Sequence, residues 1–152
     1  MRRNQALKHR SGCPIGIALD LIGDPWSLLV VRDLMFKNAR TFNDFLVAGE
    51  AIATNVLADR LARLEAGGIV DKRRDSVDTR RFVYTLTDRG IDLAPLMVEL
   101  VLWSARYEKT DAPPETVRAM RDDRANFLSQ VRSAWKESRR PDRPARARTR
   151  TG

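Results

Sequence analysis

The stretch NVLADRLARLEAGGIVDKRRDSVDTRRFVYTLT, residues 55–87, leaves this chain few ways to fold. Leu57, Leu61 and Leu64 recur at i, i+4 and i+7, one face of a helix, and Gly67-Gly68 stops that helix. Two runs rich in β-branched and aromatic residues follow at once, about 69–74 and 80–86, and the polar turn between them predicts a hairpin. Lys72, Arg73, Arg74, Arg80 and Arg81 crowd the hairpin against Asp75 and Asp78. Cations also guard edge strands against aggregation, but a surplus of this size beside an exposed helix fits a wing laid along phosphates.

The residues ahead of this stretch supply the start of a helical domain. Ile15, Ala18, Leu19 and Ile22 keep helical spacing up to Gly23, which predicts a short amphipathic helix. Asp24-Pro25 then offers a cap and a proline at the first helical position of a second helix. Its stripe is Trp26, Leu29, Val30 and Leu34, and it runs to about Phe36. Thr41 and Asp44 have capping-box spacing for a third helix ending near Gly49, with Phe42, Phe45 and Leu46 inward. Two short helices joined by a brief turn, the second running into a hairpin, form the pattern of a winged helix-turn-helix. The expected fold class is mainly α with a small β-hairpin.

Behind the hairpin, Thr87 caps a helix expected to reach Tyr107 with a bend near Pro95. Its apolar residues, Leu93, Leu96, Met97, Leu100, Trp103 and Tyr107, make it too hydrophobic to stand alone. After Pro113-Pro114, the residues Val117, Met120, Phe127, Leu128, Val131 and Trp135 predict an accessory helix over 113–137 that covers the core, with Arg124 interrupting its stripe. Residues 138–152 offer nothing to bury and read as a disordered Arg-rich tail, and 1–12 as a flexible basic arm. That leaves 13–110 as the domain proper.

The formal charge of +8 sits at the ends: four cations among residues 1–10, and six arginines against Asp142 among 138–152. The middle is close to neutral, so local clustering says more about partners than the total does. No apolar run approaches the roughly 18 residues that span a bilayer, the first ten residues lack a secretory apolar region, and the lone Cys13 permits no intrachain disulfide. These features predict a cytoplasmic protein with no membrane partner. His9 is the single histidine and reads as solvated. Without a His/Cys/carboxylate cluster, a glycine-rich phosphate loop or a nucleophile beside a base, we expect no enzyme, no metal and no cofactor.

With the leucine stripe turned inward, steps of about 100° place Asn55, Ala58, Asp59, Ala62 and Arg63 on or near the outward face. Thr54, Asn55, Ala58 and Asp59 are the candidate base contacts. Asparagine bonds adenine N6 and N7 together, aspartate accepts from cytosine N4, and alanine leaves room for the backbone to approach. Arg63, Lys72, Arg73, Arg74, Arg80 and Arg81 are candidate phosphate contacts. Arg60 joins them from the flank nearer the core, where an internal ion pair is the competing assignment.

The ordered set Cys13-Pro14, ALDLIGDPWSLLVVRDLM, TFNDF, NVLADRLARLEAGGIV, the basic hairpin, YTLTDRG and a helix holding Pro95 and Trp103 resembles the HxlR family of bacterial transcriptional regulators over about 13–107. The resemblance implies a homodimeric winged helix-turn-helix, with dimerisation helices at both ends, that binds palindromic operator DNA as a repressor. Its recognition helix would be 53–66 and its wing 71–83. It also implies dimer contacts from Ile15, Leu19 and Ile22 on the first helix and from Leu96, Leu100, Trp103 and Tyr107 on the helix after the wing. Some family members sense oxidants or electrophiles through a cysteine at the place of Cys13, which makes this thiol a candidate redox sensor beside the plainer reading of an unreactive side chain. The inducer would then be an unidentified small molecule or electrophile. Three features depart from the family pattern: Pro25 stands where lysine is common, Ala53 and Ala58 stand where serine or threonine is common, and 113–152 runs past the usual end. The competing function is a protein-interaction module that uses the winged-helix scaffold without DNA.

Overall fold

A computed structural model describes residues 8–140; of the expected flexible arm over 1–12 and disordered tail over 138–152, residues 1–7 and 141–152 fall outside the described residues, while Ser138 closes a helix. In chain order the elements are α1 (Pro14–Ile22), α2 (Ser27–Phe36), α3 (Phe42–Leu46), α4 (Thr54–Ala66), β1 (Val70–Arg74), β2 (Phe82–Leu86), α5 (Asp88–Ile91), α6 (Ala94–Tyr107), α7 (Pro114–Asp122) and α8 (Arg124–Ser138). The described residues are thus mostly helical with one antiparallel hairpin, the expected fold class.

Side-chain caps set several boundaries. Asp24 Oδ1 accepts from the amides of Trp26 at 2.9 Å and Ser27 at 3.0 Å. One carboxylate gathering both amides holds Pro25 and Trp26 in a turn, so α2 begins at Ser27 and not at the proline. Thr41 and Asp44 form the expected capping box on α3. That helix stops at Leu46, short of Gly49, because the chain reverses through Gly49 at φ +102° and Ala51 at φ +51°. The C-terminus of α4 closes with the Gly68 amide on Glu65 C=O and the Ile69 amide on Leu64 C=O, at 3.0 and 2.9 Å. Gly68 at φ +70° makes that reversal without a Cβ penalty.

Two expected helices are broken. Pro95 has no amide to offer Ile91 C=O and its ring crowds that carbonyl, so the long helix after the wing parts at Asp92-Leu93 into α5 and α6 instead of bending. Thr87 still caps the first piece, its hydroxyl accepting from the Gly90 amide at 3.0 Å. A Cβ at Gly90 would meet Ile69 C=O at 2.2 Å, so α5 lies directly against the chain entering β1. The accessory segment likewise divides at Asp123 (φ −138°, ψ 51°) into α7 and α8. Arg124, which interrupts the apolar stripe, begins α8 and pairs with Glu99 on α6. The break lets Met120 and Trp135, one on each helix, both reach the interior.

The core gathers Leu57, Leu61 and Leu64 of α4 with Val30 and Val31 of α2, Phe45, Ile69, Leu86, Ile91, Met97 and Trp135. Ile22, expected at a dimer interface, is 6 % exposed and belongs to this core; it ends the inward row of α1, while Ile15 and Leu19 face out.

The hairpin register pairs Val70 with Leu86 and Arg74 with Phe82. Bonds from Asp75 N to Arg81 C=O and from Thr87 N to Ile69 C=O, 2.9 and 3.0 Å, make the odd-numbered positions of β2 the ones that bond β1. Phe82, Tyr84 and Leu86 therefore turn their backbone groups to the outer edge of the sheet. That edge is closed from two directions: Tyr84 N donates to Arg40 C=O at 2.7 Å, and the Trp135 indole donates to Leu86 C=O at 2.8 Å. The C-terminal helices thus cover the core and also seal the root of the hairpin.

Two stability measurements test this account. Ala51→Gly relieves a left-handed alanine and is expected to raise unfolding stability by about 0.5–1 kcal/mol in urea titration. Trp135→Phe leaves Leu86 C=O without its donor and is expected to cost about 1–3 kcal/mol, against about 3–5 kcal/mol for Trp135→Ala.

Candidate nucleic-acid interface

Burial of the leucine stripe turns the opposite face of α4 to solvent, and Thr54, Asn55, Ala58, Asp59, Ala62 and Arg63 are all exposed. The base-contact candidates occupy the first two turns of a helix that no other described element covers on that side. Arg60 is different. Its guanidinium is held between Asp24 at 3.1 Å and Asp59 at 2.9 Å and is largely withdrawn from solvent. The internal ion pair, one of the two assignments open for it, is the one formed. Burial pushes the Asp24 carboxyl up, but hydrogen bonds from the Ser27 hydroxyl and the Trp26 and Ser27 amides, with the charge of Arg60, outweigh that and hold it below the usual carboxylate range. One carboxylate therefore holds the turn into α2 and pairs in charge with α4.

The wing cations fall into two groups. Arg81 donates to Asp75 Oδ2 through Nε and a terminal nitrogen, at 2.9 and 2.5 Å. Arg74 donates to Thr79 C=O at 2.8 Å and lies over the Phe82 ring, which Lys72 also covers, its Nζ 4.2 Å from the ring centre. Arg81 and Arg74 shape the loop. Arg80 stands 3.3 Å from Asp78 but its side chain is 92 % exposed, and Arg73 is half-buried. Sequence reasoning counted Asp75 only as charge to subtract, yet it organises the turn: its Oδ1 accepts from Val77 N at 2.8 Å and Asp78 N at 3.4 Å. The Val77 amide and then Arg81 hold its carboxyl below the usual range. Asp-Ser-Val-Asp carries a readable signal for this, because aspartate bonds the amide two residues on.

A second network was also missed. Asp33 is buried on α2 against Arg32 at 2.7 Å and Lys37 at 3.9 Å, and Arg32 reaches Glu50 at 2.7 Å, tying the end of α2 to the turn before α4. Burial pushes Asp33 up despite Arg32. Between the α2–α3 connection and β2 lies an open cleft of about 1200 Å³ reaching from Lys37 to Ala48 and from Arg80 to Tyr84.

Away from α4 and the wing, Ile15 and Leu19 on α1 and Leu96, Leu100, Trp103 and Tyr107 on α6 are exposed, Trp103 by 64 %. An apolar hollow of about 210 Å³ lies between α1 and the start of α6, with Ile17, Leu21, Ile69 and Leu93 on its walls and Arg89 at its rim. Cys13 is exposed at the N-cap of α1. His9, read as solvated, is half-buried with Nδ1 3.5 Å from Asp20, which Arg10 also pairs at 2.6 Å. No three His, Cys, Asp or Glu side chains among the described residues converge on a metal-sized site.

A short helix, a turn, a second helix with a bare outer face and a basic hairpin behind it define the class: winged helix-turn-helix transcriptional regulators. The model of the HxlR-like helix-turn-helix family matches residues 21–112, and the chain belongs to that family. It is 35 % identical over 114 residues to the uncharacterized HTH-type transcriptional regulator Rv3095 of Mycobacterium tuberculosis, covering 74 % of this chain and 71 % of that one. The crystal structure of PA1607 superposes with a TM-score of 0.61 at 34 % identity, over 68 % of this chain and 71 % of the other. The redox regulator HypR in its oxidized form superposes with a TM-score of 0.57 at 26 % identity, over 64 % of this chain and all of the other. The family match ends before α7, so α7 and α8 lie beyond it.

The Asp75 turn makes a pH-dependent prediction. Its folded-state pKa lies below the unfolded value, so the wing order it supports is complete above about pH 4 and is lost as pH falls through the lowered value. Amide exchange at Val77, followed by NMR, is expected to accelerate in that acid range, and Asp75→Ala is expected to show the same fast exchange at neutral pH.

Proposed function

We propose that this regulator is a homodimeric, sequence-specific repressor of transcription that occludes palindromic operator DNA. Thr54, Asn55, Ala58 and Asp59 read base edges in the major groove, Arg63, Lys72, Arg73 and Arg80 meet flanking phosphates, and Arg74 and Arg81 hold the wing in shape while adding to its field. The observation that carries this reading is the contrast across α4: Leu57, Leu61 and Leu64 are 0–2 % exposed, while the opposite row is bare and lies beside a preformed cationic loop. In this reading residues 13–110 are the working domain and the helices after 113 brace it.

The dimer reading rests on six large apolar side chains exposed on α1 and α6, more than a monomer of this size ordinarily leaves in water. A two-fold pairing through them sets two copies of α4 on one side of the molecule, about one helical turn of DNA apart. Sensing is a second reading, favoured by one observation. Cys13 is exposed at the cap of α1, the helix that carries Ile15 and Leu19, so an electrophile or oxidant adding there would change the spacing of the two α4 helices. HypR, one of the similar structures, is a redox regulator. A protein-interaction module without DNA accounts for neither the bare face of α4 nor the ordered basic wing.

Fluorescence anisotropy on fragments selected from the source genome tests the DNA reading. Arg80→Ala is expected to weaken binding on every sequence and to lower the salt slope by about 0.9, whereas Asn55→Ala changes sequence preference by about 1–3 kcal/mol at one base pair. Equal loss from both, with no preference anywhere, would refute sequence-specific reading, and a stable heteromeric complex without salt-sensitive DNA binding would point to the interaction module. Trp103→Glu is expected to convert the dimer to monomer in sedimentation velocity; a wild-type monomer would refute the pairing.

A further inference from the structure

We infer that the apolar hollow between α1 and the start of α6 is a binding site for a small apolar monocarboxylate, its ring or short alkyl group lying against the apolar walls and its carboxylate on Arg89. Neither the face of α4 nor the wing takes part, so the site can fail without DNA binding failing, and the reverse.

The hollow lies at a junction whose members are already fixed on one another. Leu21 packs so closely on the end of α4 that a Cβ at Gly67 would lie 3.2 Å from its Cδ2. Ile69, 3 % exposed, stands between α4 and β1, and its carbonyl accepts from the Thr87 amide at 3.0 Å and the Thr87 hydroxyl at 3.2 Å. With α1 held on α4 and Ile69 held at the cap of α5, about 210 Å³ stays open, walled also by Ile17 and Leu93. That space takes a single ring and falls short of the roughly 300–1,000 Å³ that buries a drug-sized ligand. Every lining residue except Arg89 is apolar. Water inside meets one polar side chain where a bound water ordinarily finds about three partners, so an apolar group displaces it at little cost.

Arg89 supplies the charge. Its Nη1 donates to Gly67 C=O at 2.8 Å, which leaves Nε and Nη2 as the two-pronged edge that grips a carboxylate. The acids nearest to it in sequence are engaged elsewhere: Asp88 lies 3.8 Å from Arg139 and Asp92 lies 2.5 Å from Arg132. Arg89 forms an ion pair with no carboxylate among the described residues. It is exposed, so solvent screens its pull, and it confers selectivity more than tight binding. A neutral hydrophobe would leave this guanidinium unanswered, and a polyanion would meet apolar wall where it needs a second cation. One carboxylate on a small apolar body matches both parts.

The test titrates the full chain with benzoate, benzamide and acetate at constant ionic strength and follows the Ile and Leu methyl signals by NMR. Benzoate is expected to shift the Ile17, Leu21, Ile69 and Leu93 methyls to saturation, benzamide to bind roughly five- to tenfold more weakly, and acetate not to saturate. Arg89→Gln is expected to bring benzoate down to the benzamide level and to leave benzamide unchanged. Ala18→Phe, at an exposed position on the wall, is expected to abolish both. If Arg89→Gln alters the circular dichroism spectrum, Arg89→Lys decides: a retained preference for benzoate supports the site and a lost one overturns it. Equal affinity of wild type for benzoate and benzamide, or saturable shifts confined to Leu96 and Leu100, would also overturn it. So would silence of all four methyls toward benzoate, and intermolecular NOEs to Ile17 and Leu21 in a mixed-label sample would then assign the hollow to a second copy of the chain. Benzoate does not add to thiols, so no outcome depends on Cys13.

Discussion

The burial of Leu57, Leu61 and Leu64 governs the rest of this structure, because it decides which way α4 faces. Each of these side chains is almost wholly removed from water, worth on the order of 1.5–3 kcal/mol apiece, so a rotation of α4 by even one residue would forfeit more than a typical domain can spare. The Asp24–Arg60 pair adds charge to that burial. A carboxylate that already accepts from the Trp26 and Ser27 amides also faces the guanidinium at 3.1 Å, so the turn into α2 and the middle of α4 are drawn together. Hydrophobic burial sets which face of α4, with Thr54 and Asn55, is presented.

The wing inherits its position from the same helix. Gly68 turns the chain, Leu64 C=O accepts from the Ile69 amide, and β1 begins at Val70, so two residues separate the end of the Gly67 cap from the first paired strand position. An isolated hairpin of this length is marginal in water. Here its free edge is closed by Arg40 C=O on one side of Tyr84 and by the Trp135 indole at Leu86, and Arg139 lies over the Trp135 ring with its guanidinium 3.8 Å from Asp71. Helix α8, beyond the family match, is thereby joined to the root of the wing. Its arginines also pair with Glu99 on α6 and Asp92 beside it, so the wing and the α6 face proposed for dimer contact share one brace.

What could be read in the sequence was whatever local chemistry decides. The leucine spacing, the Thr41–Asp44 box, the Thr87 cap and the Gly67-Gly68 stop each depend on residues within one or two turns, and each appears as expected. The misses share a different cause. Pro95 disturbs its helix in either case, but whether the chain bends or parts is settled by packing, and here α5 lies directly against the chain entering β1. Ile22 has the spacing of its outward neighbours, and only the packing of α1 on the core makes it an inside residue. Arg60 lay on an ambiguous flank until Asp24, 36 positions earlier in the chain, came within 3.1 Å. For the candidate interface, residue types and the exposed face were legible, while the engagement of Arg74 and Arg81 within the loop was not.

That engagement bears on how such a wing would act on a duplex. Five cations suggest five phosphate partners, but Arg81 is already neutralised by Asp75, and Arg74 is aligned by Thr79 C=O and the Phe82 ring. A cation that must leave a carboxylate before meeting a phosphate releases less counterion and gives less affinity than a solvated one. In exchange the loop is ordered before binding, so its conformational entropy is lost in folding and not at the interface. On the DNA-binding reading, the wing therefore supplies register more than attraction. Sequence-independent attraction then falls to Arg80, with its almost wholly solvated side chain, to Arg63, Lys72 and Arg73, and to the cation-rich termini, where six arginines among residues 138–152 oppose a single aspartate. Discrimination is left to the face of α4.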